Sequence, residues 1–367
     1  MGDSPVLPDY GGACLSNLIP ALLGPRLDAA PVWFPPSALQ APQVVFLVLD
    51  GLGWDQLQAH RSLMPVLSAM DGGPITSVVP STTATALTSI STGLPPGEHG
   101  VVGYRIDVHG EVLNVLRWST PRGDARRAIP PEQLQPYEPF LGQRPPVVTK
   151  AEFFGSGFSL AHLNGVRWRG WRVPSTLTTE VRELLASGEP FIYAYYDGID
   201  KVAHEYGLAE HYRAELTWVD RLIGDLLEVM PPGAVLLITA DHGQVDVGDN
   251  VRPLDADLLS LLRGQSGEGR ARWLHAYDGA TRDLLDAAKS RYEECAWVVS
   301  REQVLDEGWL GPRVLPGAAD RLGDVLLAAR DDVAFDDPAD TGPFSLVARH
   351  GSLTSAEMLV PLLASSP

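Results

Sequence analysis

Four apolar runs, each closing on an acidic residue or a histidine, constrain this chain more than any other feature. They are VVFLVLDGLG with Asp50, FIYAYYDGIDKVAHEYG with Asp200 and His204, AVLLITADHG with Asp241 and His242, and FSLVARHG with His350. Short apolar runs bounded by turn signals read as strands buried on both faces, the pattern of a parallel sheet. Such a sheet gathers the carboxyl ends of its strands at one edge. Carboxylates and imidazoles placed there are suited to holding metal ions in the adjoining crevice. The expected fold class is α/β, a mostly parallel sheet with helices on both faces, carrying one site.

The chain has 367 residues, enough for one large α/β domain. Either one catalytic domain over 1–367 with a smaller insertion, the reading preferred here with an inserted lid over about 250–340, or two domains would fit that length. The net charge of −18 argues against a nucleic-acid binder that works through a basic surface. Cys14 and Cys295 are the only cysteines, so no disulfide framework and no CxxC motif is available, and free thiols are expected. The first 24 residues lack the basic start and apolar core of a secretion signal, and no run is long enough to span a membrane. A cytoplasmic location is the corresponding expectation.

Along the chain, the first strand runs through a glycine turn into a helix expected from about Trp54 to Met70. ITSVV reads as a strand stopped by Pro80, after which a Thr/Ser-rich helix closes at Gly93. YRIDVHGEVLNVLRW reads as a hairpin, and residues 103–150 as an insertion near the site. EFFGSGFSLAHLNG and STLTTEVRELLASG read as helix-rich connections before FIYAYY, and a helix from about Glu210 to Met230 leads to AVLLITADHG. ARWLHAY, TRDLLDAAKSRY and CAWVVSREQVLDEGW give the strand, helix, strand order of the inserted unit.

Asp200 and His204 are four apart, so on a helix they share a face and can grip one ion. Taken alone, that pair is better explained as an acid near a helix start with an exposed histidine. Asp241 and His242 are neighbours, and both can ligate only where the chain turns, which Gly243 permits. Ser81, Thr82, Thr83 and Thr85 open a helix, where a hydroxyl is most often an N-cap. A hydroxyl beside a divalent ion can also serve as a nucleophile, and the free N–H groups of a helix start favour a phosphoryl group.

These segments, in this order, resemble the alkaline phosphatase superfamily, and within it the nucleotide pyrophosphatase/phosphodiesterase branch. The resemblance rests on Asp50 after the first strand, PSTT, TGLPPGEHG, DxxxHxxG at Asp200, His204 and Gly207, DHG at Asp241 to Gly243, and His350 before Gly351. It implies an alkaline-phosphatase-like three-layer sandwich and a metal-dependent phosphoric ester hydrolase of phosphodiesterase or nucleotide pyrophosphatase type. It also implies Thr83 as nucleophile and two divalent cations, zinc first and manganese second. Asp200, His204 and His350 would hold one cation, and Asp50, Asp241 and His242 the other. His99 of the same pattern is expected to anchor the helix end.

The sequence departs from the branch after Thr83. Where the phosphodiesterases read FPNH and use the Asn on a phosphate oxygen, this chain has Ala84, Thr85, Ala86 and Leu87. Asn114 of the hairpin is a candidate substitute, although a hairpin role is the plainer reading. Tyr104, Trp118, Trp168 and Trp171 are candidates for stacking on a substrate, with core packing the commoner role for each. Lys201 reads as a solvated helix lysine. The implied partner is a small phosphate ester or nucleotide, with no nucleic-acid duplex, membrane or obligate protein partner. Alternatives are a phosphomonoesterase or phosphonate hydrolase, a phosphomutase of the same superfamily, and a silent scaffold; six ligand candidates together with a hydroxyl argue against the last.

Overall fold

The computed structural model describes residues 4–25, 30–341 and 345–367. A seven-stranded sheet forms its centre, in the spatial order Asp71–Thr76, Leu359–Ser365, Val235–Thr239, Val44–Leu49, Phe191–Tyr196, Pro146–Lys150, Arg167–Trp171. The last five of these are mutually parallel, and Leu359–Ser365 is antiparallel to both of its neighbours. Val44–Leu49 lies in the middle with all six residues buried, in register with Phe191–Tyr196 on one side and Val235–Thr239 on the other. That placement explains why its sequence is apolar without alternation: both faces are covered. The carboxyl ends of these three central strands deliver Asp50, Asp197 and Asp241 to the same edge.

Three sequence expectations are corrected here. Pro146–Lys150 and Arg167–Trp171 are strands of the main sheet, whereas the sequence reading placed the first in an insertion and assigned no element to the second. The expected Trp54–Met70 helix is broken into Trp54–Ala59, a 3-10 turn at Arg61–Leu63 and Pro65–Ser68; Pro65 sits at the first position of the last of these, where its missing N–H costs no helical bond. The fourth apolar run is no core strand. Among its described residues Ala348–Arg349 form a two-residue strand antiparallel to Val245–Asp246 and Gly351 makes an isolated bridge to Ser81, while Phe344 lies outside the described residues.

The Thr/Ser-rich helix forms at Thr83–Thr92, entirely buried, and ends at Gly93 in the left-handed conformation (φ 70°). Burying so many hydroxyls is tolerable because several bond back along the helix: Thr88 Oγ1 donates to Ala84 O at 2.7 Å and Thr92 Oγ1 to Thr88 O at 2.6 Å. His99 anchors the segment that follows. Val101 N donates to its Nδ1 at 3.1 Å, which leaves Nε2–H to donate to Ser89 Oγ at 2.8 Å.

Within 250–340, a four-stranded antiparallel sheet orders Leu262–Glu268, Ala271–Ala276, Val325–Ala329 and Ala296–Ser300, with the Thr281–Tyr292 helix packed on it. It has a core of its own that includes Leu274, Leu284, Val298 and Phe335. Its first hairpin turn, at Gly269 and Arg270, is seated against the His350 loop. Cys14 and Cys295 are free and buried. No described helix is long and apolar enough to cross a membrane.

Candidate active site

Six residues from four segments meet at the carboxyl edge of the sheet. Asp50 Oδ1 lies 3.4 Å and Asp241 Oδ2 3.5 Å from His242 Nε2. Asp200 Oδ1 lies 3.2 Å from His204 Nε2 and 3.7 Å from His350 Nε2. The His242 and His350 rings stack with centroids 3.5 Å apart. Ligand atoms of Asp50, Asp241 and His242 fall within 4.8 Å of one another, and so do those of Asp200, His242 and His350. His242 therefore stands between the two groups, and His204 reaches the second group through Asp200.

All three imidazoles are held in the same tautomer. Nδ1 of His204, His242 and His350 faces the carbonyl oxygens of Ala348, Gly243 and Ser81 at 2.7, 2.9 and 2.9 Å. A carbonyl cannot donate, so each Nδ1 carries the proton and each Nε2 turns a lone pair into the site. Outer hydrogen bonds that fix ring and tautomer are the usual support of metal-binding histidines. The carboxylates are braced in the same way. Tyr195 OH donates to Asp50 Oδ2, Gly51 N to Asp241 Oδ1 at 3.1 Å, and Gln244 Nε2 to Asp200 Oδ1 at 2.6 Å.

Electrostatically the cluster is frustrated on its own. Burial, then the nearby Asp241 and Asp200, pushes the Asp50 carboxyl well above its ordinary range, and burial raises Asp241 as well. Burial and the neighbouring His242 and His204 push His350 well below the usual imidazole value. Asp50 Oδ1 and Asp241 Oδ2 are buried acceptors with no hydrogen-bond partner among the described residues. Unpartnered buried carboxylate oxygens beside imidazole lone pairs are a donor set that divalent cations would satisfy.

Thr83, the first residue of its helix, completes the group: its Oγ1 is 3.1 Å from His242 Nε2. The N-cap residue Thr82 makes no side-chain capping bond, so the first-turn N–H groups are not closed off by a cap. Ser81 is engaged elsewhere, donating to Ser352 O at 2.7 Å. Beside Thr83 opens a cavity of about 240 Å³, shared with Asp50 and Asp200 and walled mainly by apolar side chains such as Leu87, Leu116, Phe153, Phe158, Leu163 and Trp168.

The structure separates the remaining sequence candidates. Trp168 lines the cavity; Trp118 and Trp171 are buried in packing. Asn114 spends both ends of its amide in the hairpin, donating to Tyr104 OH at 2.6 Å and accepting from Arg117 N at 3.0 Å, and it is not among the cavity's lining residues. Lys201 is an exposed lysine of the Gly198–Tyr206 helix, as expected, and it also lines the cavity, sharing Asp197 Oδ2 with Lys150, each at 2.9 Å. Tyr195, Gln244 and Asp197 went unremarked in the sequence. Their neighbourhood to Asp50, Asp241 and Asp200 was the only available signal.

The family model for type I phosphodiesterase / nucleotide pyrophosphatase matches residues 44–164 and 161–353. The chain belongs to this family. Its members hydrolyse phosphoric ester and pyrophosphate bonds, and this chain is a hydrolase of that class. Among solved structures, murine ectonucleotide pyrophosphatase / phosphodiesterase 5 is similar at 14% identity and TM-score 0.65, over 89% of this chain and 88% of that one. Phosphonoacetate hydrolase from Sinorhizobium meliloti 1021, in complex with phosphonoacetate, is similar at 19% identity and TM-score 0.60, over 89% and 90%. These likenesses establish the alkaline-phosphatase-like fold. A comparison with curated proteins found no match.

Proposed function

We propose that this phosphodiesterase-family protein cleaves small phosphodiesters or nucleoside pyrophosphates with Thr83 as nucleophile and two divalent cations. Asp50, Asp241 and His242 would hold one cation and Asp200, His204 and His350 the other, with His242 near enough to serve either. The observation that carries the reading is the pair of orphaned oxygens, Asp50 Oδ1 and Asp241 Oδ2, flanking the His242 Nε2 that faces Thr83 Oγ1. Mixed nitrogen and oxygen donors suit zinc, with manganese second. When bound, the cations would acidify the Thr83 hydroxyl and neutralise charge on the phosphoryl oxygens.

In this chemistry Thr83 Oγ1 attacks phosphorus in line, and the bond to the leaving oxygen breaks as the threonine–phosphorus bond forms. Water then displaces Thr83 from phosphorus. Two inversions give retention of configuration. The start of the Thr83–Thr92 helix presents backbone N–H groups for the phosphoryl oxygens, which compensates for the missing Asn after the nucleophile. The apolar cavity accepts the organic part of the substrate and keeps water from it, and Trp168 supplies an aromatic face there. The lining residues include a single cation, Lys201, paired with Asp197. That is a poor grip for the second phosphate a mutase needs.

The test is hydrolysis of bis(p-nitrophenyl) phosphate against p-nitrophenyl phosphate by metal-stripped protein, with zinc or manganese restored. Diester turnover that returns with metal supports the proposal. A preference for the monoester assigns a phosphatase instead, and silence on both with metal bound overturns the hydrolytic reading of this site.

A further inference from the structure

Arg270 and Glu357 form an ion pair in which both side chains are fully buried, far apart in sequence and outside the six-residue cluster. Arg270 Nε donates to Glu357 Oε1 at 2.7 Å and Nη2 to Oε2 at 2.8 Å, a bidentate fork. A buried pair of this kind contributes little net stability compared with apolar residues of the same size. Its partners show another use.

Glu357 holds segments that carry site residues. Glu357 Oε1 also accepts from Ser352 N at 2.9 Å, two residues after His350, and Oε2 accepts from Thr354 Oγ1 at 2.6 Å. Ser352 O in turn receives Ser81 Oγ, two residues before Thr83. The Glu357 backbone oxygen accepts from Gly243 N at 2.9 Å, directly after His242. On the far side, Arg270 Nη1 donates to Asp331 O and Val333 O, both at 2.8 Å, tying in the four-stranded unit. The geometry points to Arg270–Glu357 as the positioning pair of this site: it sets the His350 loop, and through Ser81 and Gly243 the nucleophile turn and the His242 turn. The inserted unit over 250–340 thereby acts as a buttress. The cavity lining contains no residue from it and is drawn from residues 50–201 instead.

This inference rests on the metal reading of the cluster, and zinc affinity tests the two separately. Zinc binding is measured by competition with a chromophoric chelator on wild-type protein, Glu357→Gln, and Val298→Ala as a control in the core of the four-stranded unit. Gln keeps the shape but replaces one acceptor with an N–H₂ facing donors. Glu357→Gln is expected to weaken zinc binding tenfold or more, the usual cost of losing outer support of a ligand. The control is expected to lower the thermal midpoint with zinc affinity unchanged. Folded Glu357→Gln binding zinc as tightly as wild type overturns the pair's role, as does an equal loss in the control. Wild-type protein that binds no zinc or manganese overturns the metal reading and this inference with it. If Glu357→Gln does not fold, Thr354→Val, which removes one bond to the same carboxylate, decides: several-fold weaker zinc binding supports the role and unchanged binding refutes it.

Discussion

Thr83 Oγ1 and His242 Nε2 stand 3.1 Å apart, and the Nδ1–H of His242 is committed to Gly243 O at 2.9 Å. The hydroxyl therefore points at a lone pair that cannot be turned away from it. Those facts place the proposed nucleophile and an imidazole lone pair at one spot, with two orphaned carboxylate oxygens beside it. The neighbouring carboxyl groups explain their own strain: without a counter-charge, burial and repulsion drive Asp50 and Asp241 toward the protonated form.

Tyr195 reaches Asp50 from the adjacent central strand, and its hydroxyl fixes which carboxylate oxygen faces the site. Tyr195→Phe is expected to lose zinc affinity by about tenfold. It is expected to cost about 1 kcal/mol of stability in urea titration of the metal-free protein.

Gly51 adopts φ +80°, and a Cβ there would sit 3.0 Å from Asp200 Cα and 2.9 Å from Gln244 Nε2. Gly51→Ala thus forces the Asp50 and Asp200 turns apart while straining the backbone. Expected results are about 1–3 kcal/mol of lost stability and near-complete loss of turnover, read by denaturant unfolding and diester hydrolysis.

Much of the clustering was legible in the sequence because its acidic residues follow strands whose apolar character is a direct consequence of central placement. Asp50, Asp200 and Asp241 are easy to find for that reason. Arg167–Trp171 was not legible, since an edge strand that alternates Arg and Trp carries no buried run. Pro146–Lys150 was hidden by its brevity among prolines. The Arg270–Glu357 pair was invisible in principle: nothing local marks two charges 87 residues apart as partners.

His99 and His162 are buried, and burial pushes them down to about 3 and about 4. Their folded values lie below the unfolded one near 6.5, so the unfolded chain takes up protons that the folded chain refuses as pH falls. Stability is full above about pH 6.5 and is lost progressively below it. Between pH 7.5 and 5.5 each such histidine is expected to cost about 1.4 kcal/mol, measured by urea titration. His99→Gln, which can still donate and accept, is expected to flatten that slope.

Leu87 lines the cavity one turn from Thr83 on the same helix. Leu87→Trp is expected to fill it, raising KM at least tenfold for bis(p-nitrophenyl) phosphate while sparing methyl p-nitrophenyl phosphate. Steady-state kinetics on the two esters separates loss of room from loss of chemistry.

The central claim is that Thr83 does the bond-making while the six acidic and histidine residues hold the cations. Thr83→Ala tests it, with zinc content and diester turnover measured on the same preparation as wild type. The expected result is two zinc ions per chain in both proteins and turnover lowered by at least a thousandfold, about 4 kcal/mol of barrier, in the variant. Thr83→Ala hydrolysing the diester at the wild-type rate would contradict the account.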